Sequence, residues 1–427
     1  FCCRRPIPST TVLRVGRHSG LVSREVVLEP AELTRHAAFL GGSGSGKTTL
    51  ALALLEQLCA RGVPAILLDR KGDLCAYANP AAWSVAPRDE QHRVEREALR
   101  ARLDVALYTP GSDRGRPVSL ALAPPDLGKL PEHEREQLSS HAACALGSML
   151  GYKDSCRDKA CIALLAQAIR LLAELDHPVS FDNLLEIIGD KEPTLVAAIG
   201  YLDKSNFTRL ASDLETLKVT RGTLVRSKAP SLDFDELLGR GPHAVPGRTR
   251  LSIVSTKFLG DERGALFFVA QLLVGLARWA SKNPAATLQA ALLADEADLY
   301  LPAASKPPTK EPMENLLKRA RSAGLSIMLA TQSPGDLDYR SRDTIRSWFV
   351  GRVKEQTALA KMKPMLADCR AEVFGRIPGQ GTGDFHLLQE GSAIAFHACE
   401  SLVRAVQVPE EAIQELAART TPRTAVA

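Results

Sequence analysis

From Thr11 to Pro30, "TVLRVGRHSGLVSREVVLEP" alternates apolar and polar positions about a central glycine, the pattern of a β-hairpin. "AAFL" (Ala37–Leu40) is a short unbroken apolar run, as a strand covered on both faces requires. A glycine-rich stretch follows, then a helical run from Thr48 to Arg61, the strand-like "PAILL" and the turn "DRKGD". Strand, loop, helix and strand in that order form a βαβ unit. It predicts an α/β fold with a mainly parallel sheet and helices on both faces.

Between Pro124 and Gly222 the period changes. "LPEHEREQLSSHAACALGSML", "KACIALLAQAIRLLAELD", "FDNLLEIIGD" and "TLVAAIGYLDKSNFTRLASDLETL" repeat apolar residues every three or four positions. They predict an all-helical insertion of roughly 100 residues. Strand-like runs return at "RLSIVST" (Arg250–Thr256), "LQAALLA" (Leu288–Ala294), "LSIMLAT" (Leu325–Thr331) and "WFVGRV". A β-rich end follows at "DFHLLQEGSAIAFH", and the stretch after Ala418 is polar and expected to be loose.

Composition narrows this little. Apolar residues make up 45% and charged residues 24%, as in ordinary globular proteins. Lysine plus arginine exceed aspartate plus glutamate by 54 to 49, too small a surplus to indicate nucleic acid by itself. Two basic stretches, "TLKVTRGTLVRSK" and "RSRDTIRSWFVGRVKEQTALAKMK", could follow a phosphodiester backbone. Without interleaved aromatics, a solvated face explains them more simply. The nine cysteines form no CxxC pair, which argues against a zinc site or disulfide scaffold and for reduced thiols. The most apolar stretch, "GALFFVAQLLVGLARWA" (Gly264–Ala280), is interrupted by Gln271 and Arg278 and predicts a core helix, not a membrane span. No secretory leader is recognised. The expected compartment is the cytoplasm, without membrane contact.

The candidate chemistry clusters after the buried strands. Gly41, Gly46, Lys47 and Thr48 satisfy the phosphate-loop pattern G-x-x-x-x-G-K-[ST]. Gly41, Gly42, Ser43, Gly44, Ser45 and Gly46 can wrap backbone N–H groups around phosphates, and Thr49 continues into the helix whose positive end faces them. Lys47 would reach the outer phosphates and Thr48 would hold Mg²⁺. Asp295 and Glu296, in "ALLADEAD", suit a metal-holding acid and a water-activating acid. Acids at an ordinary helix start give the same local pattern. Gln332 ends another apolar run, where it could sense the terminal phosphate. Gly41, Asp69, Asp295 and Gln332 each follow such a run, and ligands of doubly wound sheets bind beyond the carboxyl ends of the strands. In "PMENLLKRARSAGLS", Lys318, Arg319 and Arg321 gather toward a helix end at Gly324. Arg319 and Arg321 face different ways, so at most one reaches a given phosphate. Surface charge at a helix end accounts for a generic case; a finger offered to a neighbouring subunit singles out Arg321.

"LGGSGSGKTTL", "ILLDRKGDL", "LLADEAD" and above all "RARSAGLSIMLATQSPGDLDYRSRDTIRSWFVGRV" resemble the HerA/FtsK-type P-loop ATPases, which include conjugative coupling proteins. The resemblance implies a RecA-like core, a helical insertion, a homo-hexameric ring, and ATP with Mg²⁺ driving translocation of double-stranded DNA. It makes Lys47 and Thr48 Walker A, Asp295 and Glu296 Walker B, Gln332 a sensor and Arg321 a finger in trans. Asp69 and Lys71 fall in a motif beside the nucleotide. The expected layout is a hairpin lead-in over 1–35, a core in two parts over 36–123 and 236–410, an all-α insertion over 124–235 and a tail over 411–427. The N-terminal barrel of HerA is expected to be absent or reduced to one hairpin, and no membrane anchor like that of FtsK or the coupling proteins is expected. The alternative is a nucleotide-dependent scaffold that organises a nuclease or other effector. Asp295–Asp298 spells the DEAD of RNA helicases, but those need a second RecA lobe for which too little chain follows.

Overall fold

The structure, a computed structural model, describes residues 12–19, 24–119, 121–220, 230–366 and 371–421. Its eleven strands are β1 (Leu13–His18), β2 (Glu25–Leu28), β3 (Ala37–Leu40), β4 (Ala65–Asp69), β5 (Leu103–Tyr108) and β6 (Thr249–Ser255), then β7 (Ala290–Ala294), β8 (Leu325–Thr331), β9 (Ser347–Val350), β10 (Asp384–Gln389) and β11 (Ser392–Ala398). All join one sheet in the order β2-β1-β11-β10-β9-β3-β8-β7-β4-β6-β5. From β9 to β5 neighbours run parallel; β10, β11, β1 and β2 extend the sheet antiparallel. The strands after Asp298 are therefore members of this sheet and not a second lobe.

Alternation along each strand feeds two cores. Leu40, Leu68, Leu292 and Leu329 face a layer containing Phe268, Leu272 and Leu276 of the Glu262–Lys282 helix and Leu316 of the Lys310–Arg319 helix. Phe39, Leu67, Leu293 and Met328 face the other side, against Leu50, Leu54 and Leu58 of the Lys47–Ala60 helix. A third core lies among Glu132–Met149, Cys156–Glu174, Phe181–Gly189 and Ser205–Thr220, helices of the stretch with helical period. Phe267 and Ala270 of the Glu262–Lys282 helix belong to this third core. That helix is apolar on several faces because it packs between the sheet and the helical block.

Two elements were not anticipated. β5 forms the edge of the sheet after a strongly charged helix, Glu90–Arg102. The stretch expected as a tail instead forms a helix, Glu410–Thr420, which buries Ile413, Leu416 and Ala417. Thr420 Oγ1 accepts a hydrogen bond from Leu107 N at 3.0 Å, so the helix closes an edge that would otherwise present free backbone groups.

The C-terminal segment is also tied to the Lys47–Ala60 helix through Glu56. Its carboxylate accepts from Leu402 N (2.7 Å), Val403 N (3.1 Å) and Tyr77 Oη (2.7 Å), all in the interior. Glu56→Ala would leave three donors unpaired and should lower unfolding free energy by on the order of 3 kcal/mol, read from denaturant melts. Burial pushes the Glu56 carboxyl up from 4.5 to about 7, against its three hydrogen bonds. Its contribution is then fully present below the unfolded value and is lost as pH rises through about 7. The denaturation midpoint should fall between pH 5 and 8, with a shallower fall in Glu56→Ala; equal slopes would refute this role.

Candidate active site

The register brings the candidate residues to one edge. Thr331 is opposite Leu40, so Gln332 emerges beside Gly41. Ala294 is opposite Leu68 on one side and Leu329 on the other, so Asp295 emerges next to Asp69 and near Gln332. β8 thus lies between the strand that carries the phosphate loop and the strand that carries the two acids.

The loop itself is braced from behind. Gly42 N donates to Arg352 O at 2.8 Å, Gly383 N to Ser45 O at 3.0 Å, and Thr382 Oγ1 to Gly44 O at 3.0 Å. Gly46 has φ 94, and a Cβ there would lie 3.3 Å from Gly383 N. Only glycine takes that left-handed turn without strain, and the turn starts the helix at Lys47. Ser43 and Gly44 are exposed, while Thr48 and Thr49 are half-buried on the first turn. Arg352 and the Gly381–Gly383 turn were not singled out from sequence. The glycines and threonine in "GQGTGD" were the available signal, but only the fold brings them to residues 44–46.

Lys47 and Asp295 are 4% and 5% exposed, so two opposite charges that act on one another both lie in the interior. Burial lowers the pKa of Lys47 and raises that of Asp295, and each opposes the other's shift. Asp295 Oδ1 accepts from Glu296 N at 3.0 Å. Glu296 is held in the left-handed region, φ 56 and ψ 45, a costly conformation for a residue with a side chain. Its carboxylate meets Lys71 Nζ at 2.9 Å and Arg70 Nε at 3.8 Å. Asp298 accepts from Thr331 Oγ1, which links the strand of the acids to the strand of Gln332. Gln332 itself is half-buried, and among the described residues no hydrogen bond ties its amide.

One expectation changes. Asp69 does not face the loop with a free carboxylate: Oδ1 accepts from Gly72 N at 2.7 Å and Oδ2 from Cys75 N at 3.0 Å. It shapes the turn that presents Lys71, and burial pushes its carboxyl up to about 6. Arg321 is exposed on a 3₁₀ turn, Ala320–Ala323, that enters β8 from the amino edge, opposite the phosphate loop. Seven residues of β8 separate the two edges, about 20 Å of strand. Arg321 is therefore not part of its own chain's site.

The residues fit a magnesium–nucleotide complex. Ser45 Oγ and Asp73 Oδ1 are buried without a hydrogen-bond partner within the chain, one on the phosphate loop and one on the Lys71 turn. Among the described residues no three His, Cys, Asp or Glu converge as a cation cage. One acid, one threonine and substrate phosphates are the usual Mg²⁺ arrangement. Of the basic stretches, residues 221–229 lie outside the described residues. In the other, Arg340 is paired with Asp338, and Arg346 with Glu32 and Glu390.

Residues 13–122 match the family model of the central domain of helicase HerA. No curated protein matches the chain by sequence. Among solved structures, the conjugative coupling protein TrwB in its unbound form is 13% identical, over 90% of this chain and 88% of that one, with a TM-score of 0.59. TrwB in complex with ADP and Mg²⁺ gives the same values. VirB4 of Thermoanaerobacter pseudethanolicus is 14% identical over 92% and 98%, with a TM-score of 0.57. The chain has the RecA-like fold of the P-loop ATPases, and its resemblance to the HerA/FtsK type extends from the motifs to the sheet as a whole.

Proposed function

We propose that the protein hydrolyses ATP with Mg²⁺ as a ring-forming motor, with double-stranded DNA as the substrate it moves. The observation that carries the reading is the juxtaposition of buried Lys47 and Asp295 with Glu296 at the mouth of a braced phosphate loop. The ring and the DNA rest on the resemblance in motifs and fold; TrwB and VirB4 share the fold over most of their length.

The residues divide the work. The backbone N–H groups around Gly44–Thr48 and the start of the Lys47–Ala60 helix bind and orient the phosphates. Lys47, already desolvated, offers its charge without first losing a water shell. Thr48 and Asp295 are the residues that would hold Mg²⁺. When bound, the metal would neutralise negative charge developing on the phosphates. Glu296 takes the proton of the attacking water, and Gln332, beside Gly41, orients that water.

Lys47→Ala should lose nucleotide binding and reduce turnover by at least about 10²–10³-fold, the usual loss on removing a preorganised charge. Near-normal ATPase in this variant would refute the site. Turnover should rise on adding duplex DNA, and the rise should collapse between 50 and 200 mM salt. Turnover indifferent to duplex would favour a scaffold that uses nucleotide to organise a nuclease or another effector.

A further inference from the structure

Lys71 lies on a turn whose backbone is clamped from several sides. Asp69 holds Gly72 N and Cys75 N. Val408 N donates to Gly72 O at 3.0 Å. Gly72 has φ 83, and a Cβ on it would lie 3.0 Å from Ile413 Cδ1 and 3.2 Å from both Lys257 Cδ and Val408 O. Only glycine suits that position, so the C-terminal segment presses directly on the turn. The Glu296 backbone is likewise set by its left-handed conformation and by Leu299 N, which donates to Glu296 O at 3.0 Å. With both backbones held, the adaptable part is the side-chain contact between Lys71 Nζ and Glu296 Oε1.

That contact is poorly built as a structural staple. Its side chains are 35% and 23% exposed, and solvent-screened pairs of this kind stabilise little. It engages one oxygen, Oε1, of the carboxylate proposed to activate water and lowers its availability as a base. Lys71 also lies within the electrostatic field of Lys47 and Asp295, so a polyphosphate on the loop would compete with Glu296 for it. A phosphate oxygen is a stronger acceptor for an ammonium than a half-solvated carboxylate.

We propose that Lys71 is a positioning residue that reads the terminal phosphate: it pairs with Glu296 and passes to the γ-phosphate of a bound nucleoside triphosphate, freeing the carboxylate for water. A diphosphate lacks the group that draws Lys71 away, so Glu296 stays latched after release of phosphate. The inference rests on the ATPase reading and adds to it a residue that discriminates triphosphate from diphosphate.

The test is equilibrium binding of ATPγS and of ADP, each with Mg²⁺, to the full chain as wild type, Lys71→Ala and Lys71→Arg. Lys71→Ala should weaken ATPγS about tenfold while ADP changes by less than about twofold, and Lys71→Arg should recover most of the difference. The unchanged ADP affinity reports an intact fold. A wild-type ratio of the two affinities in Lys71→Ala overturns the proposal, and so does an equal loss of both nucleotides. Wild-type protein that binds neither nucleotide would overturn the ATPase reading itself.

Discussion

Arg321→Ala is expected to lower ATP turnover by about 10³-fold or more while ATP affinity stays near wild type, the signature of a lost arginine finger. The expectation comes from where Arg321 is not. It leaves the 3₁₀ turn before β8, at the amino edge of the sheet, whereas Lys47, Asp295 and Glu296 stand at the carboxyl edge. No rotamer of an arginine spans that separation, so any role in catalysis must be exerted on another copy's nucleotide. Exposure of the side chain allows this. Mixing Arg321→Ala with Lys47→Ala subunits then becomes informative, because one keeps its pocket and the other its finger. In a randomly mixed ring about a quarter of the interfaces join the two intact halves, and phosphate release should reappear in that proportion. Arg319→Ala, which alters the neighbouring charge on a different face, is the control. Failure of the mixture to recover, or an Arg321→Ala enzyme near wild-type speed, would remove the finger.

The second large effect concerns Glu296→Gln, which should slow hydrolysis by about 10²–10⁴-fold and leave ATP bound. The substitution keeps the side-chain length and the strained backbone, and Asp295 can still accept from the residue 296 N–H. What it removes is the proton acceptor and the negative charge that Lys71 and Arg70 now balance. A trapped triphosphate complex, isolated by gel filtration with its nucleotide uncleaved, is the expected product. Brisk turnover in Glu296→Gln would reassign the base.

The fold class was readable because parallel strands buried on both faces need unbroken apolar runs. "AAFL", "AILL", "ALLA" and "IMLA" supply them, and Gly41, Asp69, Asp295 and Gln332 come at or just after their ends, at the ligand edge. β5 is not legible in the sequence because its six residues follow thirteen strongly charged helical ones without a turn signal. The Glu410–Thr420 helix resembles a polar tail in the sequence because its apolar residues are few, and their burial depends on meeting the edge of β5. Asp69 illustrates a subtler miss. An acid at a strand end suggests a ligand for phosphate or metal, but here both of its oxygens are used by the turn that follows.

By itself the sequence determined most of the local commitments: which long apolar or periodic segments become strands or helices, where a phosphate loop forms, and which acids and amide end the buried strands. Those signals arise among residues a few positions apart, and short-range sterics and periodicity suffice to express them. Tertiary structure alone decided who meets whom. Lys71 finds Glu296 because β4 lies beside β7, and Arg321 is carried to the far edge by the direction of β8. Strand order and strand direction arise from long-range packing, and no short window of sequence contains them.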